Sequence, residues 1–154
     1  MIFSRSSEYA IRACVHLAQV ADGRCAMAKD IAREESIPAH FLAKILQGLA
    51  RKGLLRSTKG PSGGFCLSGP ARKLRLVDIV AAVDGLEAYD RCLAGRTVCS
   101  DEMACPMHKD WLILRARIMK YLGSNSVGDL ARAASGADWS NGSAAAKAKA
   151  GRRV

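Results

Sequence analysis

The sequence predicts a mainly α-helical fold with a small β-hairpin wing: a winged helix-turn-helix followed by a long C-terminal dimerisation helix. Three observations carry that prediction. Amphipathic stretches with helical spacing occupy much of residues 4–52. A glycine-rich turn between two short strand-like runs follows at residues 54–68. A broad apolar stripe then recurs over Met107–Leu122.

The first helix is expected over residues 4–21, with Ser4, Ser6 and Ser7 as candidate N-caps and Tyr9, Ala13, Val15, Leu17 and Ala18 on its apolar face. Asp22-Gly23 ends it. A short second helix fits Met27–Glu35, and Ser36-Ile37-Pro38 turns the chain, with Pro38 near the first position of a third helix. That helix, Ala39 to Lys52, sets Phe41, Leu42, Ile45, Leu46 and Leu49 in one stripe before Gly53 stops it.

Two helices joined by a tight turn make a helix-turn-helix, in which the start of the second helix meets base edges of duplex DNA. Pro38, Ala39, His40, Ala43 and Lys44 are the candidates for that contact. The plain alternative is that His40 and Lys44 only solvate the helix. The hairpin that follows favours the DNA reading: Leu54–Lys59 and Phe65–Ser68 read as strands around a Gly60–Gly64 turn, a wing whose backbone N–H groups can approach phosphates. Arg56, Lys59, Gly60, Ser62 and Gly63 are its candidate contacts.

Residues 76–84 form a short apolar helix. In Met107–Leu122, Trp111, Leu114, Ile118 and Tyr121 align in one stripe, widened by Leu112, Met119 and Leu122, enough both to seal the chain's own core and to pack on a second copy. A last short helix is expected from Ser126 to Ala134, capped by Ser126 with Asp129 in its first turn. Three units follow from this: residues 1–75 as the DNA-binding domain, 76–134 as a cysteine loop with dimerisation helices, and 135–154 as a disordered basic tail.

Charge supports the division. The formal net charge is +10 over 154 residues, with +8 in residues 1–75, −1 in 76–134 and +3 in 135–154. The basic end suits a polyanion and the middle does not. With 49% hydrophobic residues the chain can bury an ordinary core. It has no run of eighteen apolar residues and its N-terminus is charged at Arg5, Glu8 and Arg12, so a cytoplasmic protein without a membrane span is expected. In a reducing cytosol, clustered cysteines are better metal or redox ligands than disulfide partners.

Such a cluster lies between Cys92 and His108, where Cys92, Cys99, Cys105 and His108 are spaced C-x6-C-x5-C-x2-H. Thiolates bind soft metals, and an irregular, polar segment gains order from the ion it holds. Cys105 and His108 also stand where the long helix begins, and its positive dipole end favours thiolate. Cys14, Cys25 and Cys66 read as small buried hydrophobes, and Trp111 as a core or dimer anchor.

The stretches SRSSEYAIRACVHLA, IPAHFLAKILQGLARKGLL, KGPSGGFCLS and VDIVAAVDG, with the cysteine loop ending CPMHKDW, together resemble the Rrf-two family of bacterial winged-helix regulators, over about residues 1–134. The resemblance implies a homodimer that crosses its long helices, binds a double-stranded DNA operator and carries an iron-sulfur cluster on Cys92, Cys99 and Cys105. His108 matches a histidine that completes a two-iron cluster in IscR-like members, which favours two irons. Glu8 lies where some relatives offer a carboxylate from the partner's first helix, the alternative fourth ligand, which would also suit a four-iron cluster. For His108 the plain alternative is a solvent-facing residue at a helix start.

Three function classes follow. The first is a transcription factor that senses iron, redox or nitric-oxide status through the cluster. The second is a DNA-binding regulator with a structural zinc in a Cys3His site, or with a metal-free thiol switch. The third, an enzyme using Cys105 and His108, lacks an orienting third group and is disfavoured, so no catalytic residue is expected.

Overall fold

The computed structural model describes residues 2–20, 24–60, 63–92, 94–95, 100–102 and 104–136. Cys99, Ser62, the Asp22-Gly23 helix stop and the tail from residue 137 lie outside the described residues. Seven helical segments and one two-stranded antiparallel sheet are described: α1 Arg5–Gln19, α2 Ala28–Glu34, α3 Ala39–Arg51, β1 Leu55–Thr58, β2 Gly64–Leu67, α4 Leu76–Val83, α5 Glu87–Asp90, α6 His108–Ser124 and α7 Val127–Gly136.

Several boundaries have a local cause. Ser4 caps α1, its hydroxyl accepting from the Ser7 N–H at 3.2 Å. Pro38 is the N-cap of α3 and not its first residue, and Gly53, at φ 77, lets the chain leave the helix. Ser126 and Asp129 form a reciprocal box at the start of α7: the Ser126 N–H donates to the Asp129 carboxylate at 2.9 Å, and the Asp129 N–H to the Ser126 hydroxyl at 3.1 Å. This helix runs on to Gly136, two residues past the expected end. The short helix α5 was not expected; it forms between the end of α4 and the cysteine loop.

The main core joins α1, α2, α3 and β2 to α4 and α7. Ile31, Leu42, Leu46, Leu49 and Ile79 are fully buried in it, each contributing about 1.5–3 kcal/mol of hydrophobic stabilisation. The α3 stripe is narrower than its sequence pattern: Leu42, Leu46 and Leu49 are buried, while Phe41 is exposed and rests edge-on against Tyr9 with ring centroids 6.1 Å apart. Because Val127, Ala131 and Ala134 complete this core, the helix-turn-helix is closed by residues far beyond position 75.

A second cluster of Leu76, Val80, Tyr89 and Leu122 seats α6 against α4. Its far end is stitched to the first module by backbone bonds, Leu76 N–H to Asn125 O at 3.1 Å and Val127 N–H to Leu74 O at 2.8 Å. The long helix is therefore anchored at its C-terminal end to the segment Leu74–Leu76 that follows the wing.

Candidate functional site

Two regions hold the candidate functional side chains. The first is the outer face of α3 with the wing. Pro38, Ala39, His40 and Lys44 are exposed and Ala43 is half-buried, because Leu42, Leu46 and Leu49 turn the opposite face inward. Gln47 and Arg51 extend the exposed row at i+7 and i+11 from His40. Their helical spacing from His40 makes both further candidates on the same face.

The approach to α3 is set by two features. Ser36 adopts φ 53, a left-handed conformation usually given to glycine, and so turns the chain sharply between α2 and α3. Behind the turn, Glu35 ties α2 to α1: its carboxylate lies 3.2 Å from Arg12 Nε and 3.4 Å from His16 Nδ1, and its carbonyl oxygen accepts from Arg12 Nη2. The hydrogen bond with Glu35 holds the His16 pKa above its ordinary value against the effect of burial, with the charges of Glu34 and Glu35 adding to it. The same bond lowers the Glu35 pKa against its own burial, with Arg12 assisting.

In the wing, β1 and β2 pair in the register Leu55 to Leu67, Arg56 to Cys66, Ser57 to Phe65 and Thr58 to Gly64. Arg56, Lys59 and Gly60 are exposed. Gly63 differs from expectation: it is buried and its N–H donates to Gly60 O at 2.9 Å, so it shapes the turn and has no N–H left for a phosphate. Gly64 has φ 142, and a Cβ there would stand 2.3 Å from Ala26 O. Only glycine lets the wing lie this close to the segment entering α2. Ala26 and Phe65 use that approach to exchange two backbone hydrogen bonds, at 2.9 and 2.8 Å.

The second region is the cysteine loop. Cys92 is buried, Cys105 is half-buried, and His108 is buried at 4% exposure, so it is not a solvent-facing helix start. The His108 N–H donates to Cys105 O at 3.0 Å, and its Nε2 lies 3.0 Å from Asp101 Oδ1. Trp111 Nε1 donates to Arg91 O at 3.0 Å, and Arg115 pairs with Asp90 at 3.1 Å, so α6 holds the start of the loop as well as its end. Among the described residues no three His, Cys, Asp or Glu side chains stand close enough to hold a metal ion. The loop's donors, two described thiols and an imidazole, are the types that bind iron or zinc. Glu8 lies on α1, 3.8 Å from Arg12.

Along α6 the stripe is only partly covered. Trp111 and Ile118 are half-buried, whereas Met107, Leu114 and Tyr121, seven residues apart, are 52%, 50% and 62% exposed. Spacings of four and three along Met107, Trp111, Leu114, Ile118 and Tyr121 are those of a coiled-coil seam. No helix among the described residues is long and apolar enough to cross a membrane.

Comparison with known proteins places this architecture. A relative in Aquifex aeolicus (strain VF5), named an HTH-type transcriptional regulator, is 33% identical over 132 residues, covering 84% of this chain and 91% of its own. The T. potens IscR structure superposes with a TM-score of 0.72 at 22% identity, over 90% of this chain and 92% of its own. The structure of CymR, the global cysteine regulator of B. subtilis, gives 0.71 at 22% identity, over 84% and 95%. The last two establish the fold. The family model for Rrf2, iron-dependent transcriptional regulator, matches residues 3–133. With its winged helix-turn-helix and matching family model, this chain belongs to the Rrf2 (Rrf-two) family of transcriptional regulators and is not an enzyme.

Proposed function

We propose that this regulator binds duplex DNA as a homodimer and that an iron-sulfur cluster on Cys92, Cys99 and Cys105 sets its operator affinity. His108 is the fourth ligand, with the partner subunit's Glu8 as the alternative. The division of labour is DNA contact by residues 1–75, sensing and pairing by residues 76–134, and a basic tail beyond. The observation that carries the reading is the position of α6. At its start, Cys105 and His108 share one turn, and its far end is bonded to the DNA-binding unit at Leu74–Leu76. Along its length the partly exposed seam of Leu114 and Tyr121 suits a second copy. A change at the loop thus acts on the rigid element that fixes the spacing of two α3 helices.

When bound, the cluster supplies an iron centre that can be gained, lost or change oxidation state, and two irons suit three thiolates and an imidazole. This chain's part is to present the donors, bury His108 and pass displacement along α6. The test is anaerobic purification, a visible spectrum, and iron and sulfide counts, followed by titration of one selected operator duplex at fixed salt. Brown protein whose loaded and stripped forms differ in affinity is expected. Colourless protein with stoichiometric zinc would support the Cys3His zinc reading, and equal affinity of the two forms would overturn the sensing role.

A further inference from the structure

Two cysteines outside the loop come together at the base of the wing. Ala26 and Phe65 exchange both backbone hydrogen bonds, so they form the hydrogen-bonded pair of a short antiparallel ladder. Cys25 and Cys66, one step away on either side, are then the directly opposed non-hydrogen-bonded pair. Such pairs place Cα atoms roughly 4.5 Å apart with both side chains on one face. Disulfides need Cα separations of about 4.4–6.8 Å, so this pairing sets the two cysteines within bridging range.

The row continues across the wing. Arg56 is the register partner of Cys66 on the other side of β2, so Cys25, Cys66 and Arg56 line one face. Neither sulfur belongs to the main hydrophobic core. The Cys66 thiol is buried and donates to Arg56 O at 3.9 Å, whereas Cys25 is half-exposed. Their environments differ in the direction redox chemistry uses. Hydrogen bonding with the Cys66 side chain lowers the pKa of Cys25, with Thr58 and the Arg56 charge assisting against burial. Burial, and then Cys25 itself, raises that of Cys66.

We propose that Cys25 and Cys66 are a peroxide-oxidisable dithiol, a modification site in the wing separate from the cysteine loop. The Cys25 thiolate attacks one oxygen of hydrogen peroxide; the O–O bond breaks, and the departing hydroxide takes a proton and leaves as water. Cys25 is then a sulfenic acid. The Cys66 thiol attacks that sulfur, the S–O bond breaks, the S–S bond forms, and a second water carries away the oxygen and the protons. In sum, two thiols and one peroxide give one disulfide and two waters. The disulfide covalently joins the wing to the segment entering α2 and removes the Cys66 S–H from Arg56 O.

The site is tested on the full chain. Reduced protein is desalted anaerobically, exposed to a few equivalents of hydrogen peroxide, alkylated and digested with trypsin without reduction. The expected species joins peptide 25–29 to peptide 60–72, two hydrogens lighter than their sum. It disappears on dithiothreitol treatment and in Cys25→Ser and Cys66→Ser, and persists in Cys92→Ser. Recovery of the two cysteines on separate peptides in the peroxide-treated wild type would overturn the proposal, as would linkage of either one to Cys92, Cys99 or Cys105. The peptide map is read without cluster or operator, so its failure is distinct from failure of the iron-sulfur reading.

Discussion

The imidazole of His108, buried at the first position of α6, stands 3.0 Å from the carboxylate of Asp101 seven residues earlier in the chain. Asp101 is almost wholly exposed, so one end of this contact is in water and the other is in the protein. For His108 as the proposed ligand, a carboxylate in this place fixes the ring's orientation. Asp101→Ala is therefore expected to lower iron retention by about 10–100-fold while leaving the helical content unchanged. Iron release to a chelator, followed by loss of visible absorbance, measures this. Retention equal to wild type would remove Asp101 from the site.

The exposed row on α3 and the wing predicts an electrostatic signature. Lys44→Ala and Arg56→Ala should each weaken binding to a selected duplex and reduce the slope of log affinity against log salt by about 0.9 per lost phosphate contact. Fluorescence anisotropy at a series of salt concentrations reads the slope. His40→Ala is expected instead to relax sequence preference, at about 1–3 kcal/mol for the affected base pair.

Two glycines should respond in opposite directions to the same substitution. At Gly64, φ 142 and the nearby Ala26 carbonyl make alanine strained and crowded, so Gly64→Ala should cost at least about 1–3 kcal/mol and loosen the wing. At Gly48, in the interior of α3, an added Cβ meets nothing within 4 Å, and alanine should stabilise by about 0.5–1 kcal/mol. Urea unfolding of both variants compares them. A stabilised Gly64→Ala would contradict the close backbone approach.

The His16–Glu35 pair predicts a pH window for stability. His16 has its pKa raised from an ordinary 6.5, so its contribution is complete below that pH and fades as pH rises through the raised value. Glu35 has its pKa lowered from 4.5, so its contribution is complete above that pH and is lost as pH falls through the lowered value. The pair stabilises most between those two ordinary values. Thermal unfolding from pH 5 to 9 should show wild type losing its advantage over His16→Gln as pH rises. A constant difference would argue against the pair.

The seam on α6 predicts the assembly. Leu114→Glu or Tyr121→Glu places charge on the half-exposed stripe and is expected to convert a dimer into a monomer in sedimentation velocity, with little change in monomer stability because both side chains are exposed in the single chain. A wild-type monomer at micromolar concentration would count against the homodimer.

Much of this was legible from local pattern. Ser4, Gly53 and the Ser126–Asp129 box carry helix ends in their own chemistry, and the Leu42, Leu46 and Leu49 spacing marks the inward face of α3 without reference to anything distant. The donor spacing of Cys92, Cys99, Cys105 and His108, and the basic character of residues 1–75, are likewise properties of the chain. Tertiary structure decided what depends on residues far apart in sequence. Phe41 stays exposed and meets Tyr9 of α1 edge-on, a contact that its place in the α3 stripe does not show. Val127, Ala131 and Ala134 close the core of a module that ends some fifty residues earlier, since apolar faces pair by position in space. Cys25 and Cys66 each look like an isolated small hydrophobe in sequence, and only the register fixed by the Ala26–Phe65 bridge sets them opposite one another. Periodicity tells which face of an element turns inward, while strand register and packing across the core decide what that face meets.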